Sequence, residues 1–129
     1  MRFLRFLFPV VFATAAGSFA ASPEVWSLPG RKVVFVQKNG ATVDAECAER
    51  AAKCEALQRF PESDIRKLKP EDLANGANPG GAICEKVLGG TNIIGFDTDK
   101  NRSSFCLFKD GSYLDGGSIF SEGAKKFGK

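Results

Sequence analysis

Apolar positions along the chain fall in short clusters separated by turn residues. In "RKVVFVQKNG" the β-branched and aromatic run Val33 to Val36 leads into Asn39-Gly40, which predicts a strand closed by a turn. From Asp44 to about Phe60, "DAECAERAAKCEALQRF" is rich in Ala, Glu, Lys and Arg and is limited by Pro61, which predicts a helix. Its apolar face is narrow: Ala45, Ala48, Ala52 and Ala56, with Cys47 and Leu57. Two short helical turns are predicted at Ser63 to Leu68 and at Pro70 to Ala74, the second ended by Asn75-Gly76. Asn78 can cap a further helix whose first residue is Pro79 and whose segment "GAICEKVL" stops at Gly89-Gly90. "TNIIGF" and "SSFCLF" flank the polar "DTDKNR" as the two strands of a hairpin. After a turn at Lys109 to Ser112, Tyr113 to Phe120 predicts a third strand, weakened by Gly116 and Gly117. The expected fold class is α+β, one small disulfide-stabilised domain. An N-terminal strand and helices are followed by a C-terminal helix and an antiparallel β-meander.

The two ends modify this picture. Arg2 and Arg5 precede an apolar stretch from Phe6 to about Ala16, and small residues follow, with Ser18 and Ala20 spaced for a signal peptidase. This predicts a cleaved export signal over residues 1–20, because the apolar run falls short of the roughly 20 residues a membrane span needs. Residues 21–32, which include Trp26, read as a flexible lead, either a tail or a first edge segment. The single domain is then expected over 33–123, with a frayed tail at 124–129.

Composition narrows the function classes. The chain has 129 residues, 18 basic and 15 acidic, for a net charge of +3, and losing Arg2 and Arg5 with the signal lowers that excess by two. So small an excess supplies no long-range field for nucleic acid or an anionic membrane surface. Histidine is absent, which removes the usual general base, the commonest zinc ligand and every triad built on it. A domain of this size has a modest core, so covalent staples would contribute a large share of its stability.

Four cysteines in a short exported chain predict two disulfides, and four allow three pairings. Cys84 lies on the predicted helix and Cys106 on the second hairpin strand, so a bond between them would fasten helix to sheet. Closing a loop of that length stabilises by about 3 kcal/mol in the chain-entropy model. Cys47 and Cys54 are seven residues apart, which on an unbroken helix separates their Cα atoms by about 10.5 Å, beyond the roughly 7 Å limit of a disulfide. Three arrangements stay open: a bond across an interrupted helix, crossed pairing with Cys84 and Cys106, or free thiols.

The segment "NPGGAICEKVLGG", followed by an acidic hairpin and "CLFKDGS", resembles a small bacterial family labelled haemolysin, a domain of unknown function. The residues that carry the likeness are Asn78, Pro79, Cys84, Gly89, Gly90, Cys106, Phe108, Asp110, Gly111 and Ser112. It spans residues 78–123. A second cysteine pair common in that family after Asp-Gly-Ser has no counterpart here, Leu114 standing near the first of its positions. The resemblance therefore implies that Cys84 and Cys106 form the family's other bridge. The family label implies lysis, yet the mature sequence offers no amphipathic membrane-inserting helix.

Other constellations read as scaffold. Asp97, Asp99 and Asn101 stand at the first, third and fifth positions of a calcium-type loop, but Arg102 and Phe108 occupy the positions that need Gly and Glu. A polar hairpin loop is the expectation, and no metal or cofactor is expected. The glycines match no phosphate-binding pattern, and Gly116-Gly117-Ser118 is not a nucleophile elbow, since Phe120 replaces the required Gly.

These readings converge on a non-enzymatic binding module, periplasmic or secreted, stapled by Cys84 and Cys106, with Cys47 and Cys54 as further disulfide candidates whose pairing stays open. Its partner, a protein or small ligand of the envelope, is expected at the loop of Asp97, Asp99, Asn101 and Arg102. Nucleic-acid binding and stable membrane insertion of the mature chain are not expected. The alternatives are a peptidase inhibitor, a hydrolase using paired carboxylates, and a membrane-active toxin.

Overall fold

A computed structural model describes residues 23–128, so the export signal read at 1–20 lies outside the described residues. Six strands form a closed antiparallel barrel: β1 (Glu24–Leu28), β2 (Arg31–Lys38), β3 (Ala41–Asp44), β4 (Thr91–Phe96), β5 (Arg102–Leu107) and β6 (Tyr113–Asp115), in the spatial order β1-β2-β3-β6-β5-β4. Helices α1 (Ala45–Arg50), α2 (Glu55–Arg59), α3 (Pro79–Lys86) and α4 (Gly116–Ala124) accompany it. The α+β class holds, but the expected meander is part of a barrel. The closing pairs are Ser27 with Phe96 and Val43 with Leu114, one register pair at each seam.

Local chemistry accounts for the turns. Asn39 and Gly40 both take positive φ in a two-residue hairpin that places Lys38 opposite Ala41. Pro29-Gly30 joins β1 to β2 in a two-residue turn of a different type, with positive φ (81°) at Gly30 only. The lead expected to be flexible over 21–32 thus contains an ordered strand, Glu24 to Leu28 pairing with Phe35 to Arg31.

Strand alternation produces two cores. Phe35, Phe105, Tyr113, Val33 and Leu28, with Trp26, Ile93 and Leu107, fill the barrel. There Phe35 stacks on Phe105 at 4.7 Å and Trp26 meets Phe105 edge-on at 5.2 Å, so the interior is packed with side chains. The opposite face of the same strands presents Ala41, Val43, Cys106 and Leu114 to Cys47, Cys54, Ile83, Leu88 and Ile119 of the helical layer. β5 is therefore buried on both faces along Ser104-Phe105-Cys106.

Both disulfides join residues inside that second core. Cys84 of α3 bonds Cys106 of β5, Cα atoms 5.6 Å apart, and Cys47 bonds Cys54 at 5.2 Å. The second bond exists because the long helix expected from Asp44 to Phe60 is interrupted. Ala51 turns back with φ 45° and ψ −102°, and a 3₁₀ turn over Ala51–Lys53 precedes α2. Of the three arrangements left open, the interrupted helix is the one adopted.

The third meander strand expected over Tyr113 to Phe120 ends at Asp115. Asp115 Oδ2 accepts the Ser118 amide at 3.0 Å and starts α4. This cap, together with burial of Ile119 and Gly123 against the helical layer, outweighs the poor propensity of Gly116-Gly117. The tail expected to fray is a 3₁₀ turn over Lys125–Gly128, and Lys126 Nζ donates to the carbonyls of Pro61 and Ser63.

Candidate functional site

Three surface depressions meet at Asn78, where the start of α3 lies beside the start of α4 and the first half of β5. One, of about 330 Å³, is lined by Asn78, Pro79, Arg102, Ser103, Ser104, Gly116, Gly117 and Phe120. The next, of about 320 Å³, shares Asn78, Arg102, Ser103 and Ser104 and adds Asn92 and Ile94. The third, of about 290 Å³, continues through Asn92 to Glu85, Lys86 and Asp72.

Asn78 is the pivot. Its Oδ1 accepts the Gly80 amide at 2.9 Å and its Nδ2 donates to Ser104 Oγ at 3.1 Å, so one side chain caps α3 and ties it to β5. A Cβ at Gly80 would overlap the Gly116 carbonyl oxygen, and one at Gly81 would lie 2.9 Å from the Asn92 side chain. The run Asn-Pro-Gly-Gly thus sets α3 close to both α4 and β4.

Charge is sparse in the first two depressions: Arg102 is the single ionised side chain lining them. Each of Arg50, Arg59 and Arg66 has a carboxylate partner, and Arg31 stands over the Tyr113 ring at 5.6 Å. Arg102 enters none of the ion pairs among the described residues. Across the hairpin its register partner is Phe96, which is 46% exposed, and Phe120 in the same depression is 43% exposed.

The expected partner loop is divided by the fold. Asp97 Oδ1 accepts the amides of Asp99 and Asn101 at 2.9 and 2.8 Å, and Oδ2 accepts Asn101 Nδ2 at 2.9 Å. The Asn101 side-chain amide, with those backbone donors, holds the Asp97 carboxyl below its ordinary range against a smaller desolvation effect. Asp97 and Asn101 therefore lock the loop from within. Asp99 is exposed at its tip, and only Arg102 faces the depressions at Asn78. A cation at the calcium-type positions would displace N–H donors from Asp97, and no group of three His, Cys, Asp or Glu among the described residues could hold a metal ion.

The carboxylates with altered acidity stand in separate places. Arg66 hydrogen-bonds the Asp64 side chain at 2.9 Å and holds its carboxyl at about 2. Partial burial raises Asp110, but hydrogen bonds from the Ser112 hydroxyl and the Glu55 and Ser112 amides outweigh it and leave its carboxyl lowered. Asp110 Oδ2 accepts the Glu55 amide at 2.8 Å and Ser112 Oγ accepts the Ala56 amide at 3.1 Å. The turn Asp110-Gly111-Ser112 thereby caps α2 from across the fold.

Much of the motif from Asn78 to Ser112 has a structural task. Asn78 and Pro79 start α3, Gly89 takes φ 72°, Cys84 and Cys106 bond, and Asp110 and Ser112 cap α2. Asn92, Ser103, Ser104 and Phe120 at the groove were not among the site residues read from the sequence. They give no local signal, because the groove exists only where three elements remote in sequence converge.

No protein-family model, curated protein or solved structure matches the chain. No helix of the described residues is long and apolar enough to cross a membrane.

Proposed function

We propose that the protein is an exported, disulfide-stapled binding module of the periplasm or extracellular space, and that it docks its partner in the groove around Asn78. The observation that carries this reading is the contiguity of depressions at one rigid junction. α3 is bonded to β5 through Cys84–Cys106 and hydrogen-bonded to it through Asn78–Ser104, so the groove is held open before any partner arrives. Preorganisation of this kind lowers the ordering cost of binding. Two buried disulfides suit an oxidising compartment, in keeping with the export signal read at the N-terminus.

A photo-crosslinking residue at Ile94, which lines the groove on the face of Ser104, tests the site against one at Val34, an exposed position on β2. The reading expects a discrete adduct in envelope material from position 94 and none from position 34. An adduct from Val34 alone would place the docking surface elsewhere on the barrel.

A further inference from the structure

We infer that the groove takes an extended peptide segment bearing a carboxylate, with the carboxylate on Arg102 and an adjoining apolar side chain on Phe120. The inference rests on the binding reading above and specifies its ligand.

Charge complementarity is the first argument. Arg102 is exposed, has no ion-pair partner among the described residues, and is the one charged side chain of the two depressions it lines. A guanidinium presents a planar fork of donors that matches a carboxylate bidentately. The starts of α3 and α4 are not the source of this attraction. Asn78 already accepts the Gly80 amide and the Asp115 carboxylate already accepts the Ser118 amide.

Surface chemistry beside Arg102 is the second. Phe96 and Phe120 are both exposed, the former its cross-strand partner and the latter within the same depression, offering apolar contact next to the cation. From Arg102 the groove continues past Ser104 to Asn78, Asn92 and Ile94, a lining whose side-chain amides and hydroxyl can hydrogen-bond the backbone of an extended chain. A volume of roughly 300 Å³ in each of two adjoining depressions matches a few residues of peptide. A lipid headgroup would call for several clustered cations, and these depressions hold one.

The test is a ¹⁵N-resolved NMR titration of the whole protein with four probes: N-acetyl-Leu-Phe with a free carboxylate, its C-terminal amide, inorganic phosphate, and phosphatidylglycerol vesicles. The inference expects the carboxylate peptide to shift the amides of Ser103, Ser104, Gly116 and Gly117 saturably, with affinity about tenfold or more above the amide form. Arg102→Gln should remove that difference, Arg102→Lys should restore part of it, and Phe120→Ala should weaken both peptides. Arg102 and Phe120 are exposed and Arg102 enters no ion pair among the described residues, so these variants keep the unfolding midpoint, which the same samples report. Equal shifts from carboxylate and amide would overturn the anion preference and leave the groove as a docking site. Phosphate binding as well as the peptide would reduce the site to a free-anion site and overturn the inference. Response to vesicles alone would replace the peptide by a lipid. No shift from any probe, together with an adduct at Ile94, would overturn the peptide while docking stands; no shift and no adduct would overturn both.

Discussion

Asn78 Nδ2 donates to Ser104 Oγ at 3.1 Å, joining the first turn of α3 to a strand 26 residues further along the chain. The same side chain caps the helix, so one residue fixes both where α3 begins and where it sits. Asn78→Ala should cost about 1–2 kcal/mol, the usual range for a lost cap, together with a buried hydroxyl left without its donor. Urea unfolding measures it, and a loss under a few tenths would show that the contact is not structural.

Ala51 occupies φ 45° and ψ −102°, a region that glycine enters freely and alanine enters with strain. Strain of this kind costs on the order of 1–3 kcal/mol. Ala51→Gly should therefore stabilise the protein, by about 1 kcal/mol after the added chain entropy of glycine. Denaturant midpoints compared at equal slope decide the sign; destabilisation would mean that the turn is relaxed with alanine in place.

Gly90 lies against the Cys84–Cys106 bond. A Cβ there would overlap Cys106 Sγ, lie 3.1 Å from the Leu107 carbonyl oxygen and 3.2 Å from Cys84 Sγ. Gly90→Ala should destabilise by about 1–3 kcal/mol through overpacking. Gly89→Ala at the neighbouring turn meets no atom, so its cost would come from φ 72° alone. Thermal melts of the two variants separate contact from conformation.

Ser112 Oγ accepts the amide of Ala56, and both residues are fully buried. Ser112→Ala leaves that amide without a partner, so about 1–2 kcal/mol of stability should be lost. Hydrogen exchange of the Ala56 amide should speed up in proportion. Unchanged exchange would mean that Ser112 is no cap for α2.

Acid should weaken the fold through Asp64. Its carboxyl titrates at about 2 in the folded protein against an ordinary value of 3.8, chiefly because of the Arg66 side-chain hydrogen bonds. A carboxylate acidified by folding lends stability above its unfolded value and loses it as pH falls through the folded one. Asp97 and Asp110 are lowered in the same direction. Melting temperature should drop between about pH 4 and pH 2, and Asp64→Asn should differ from the parent at pH 6 but converge with it near pH 2. A constant gap across that range would contradict the assignment.

What was legible in the sequence is what local chemistry encodes. β-branched runs gave β2 and β4, the polar loop between two apolar runs gave β5, Asn39-Gly40 gave a turn, and Asn78-Pro79 gave the start of α3, while β3 after the turn was not expected. Barrel closure left no such trace, because each seam rests on one register pair and one of these sets a serine against an exposed phenylalanine. Residues 116–120 read as the end of a strand that Gly116 and Gly117 weaken; neither glycine favours a helix, and α4 draws its stability from a cap and tertiary packing. Of the loop expected to bind, Arg102 reaches the groove, while Asp97 and Asn101 are consumed in holding the turn.

Central to this account is that the bond between Cys84 and Cys106 holds α3 on the barrel and so maintains the groove. Hydrogen exchange of the α3 amides in the Cys84→Ser, Cys106→Ser double variant tests it most directly. Loss of about 3 kcal/mol predicts exchange faster by about a hundredfold across Ala82 to Lys86. Protection equal to that of the parent would contradict the account.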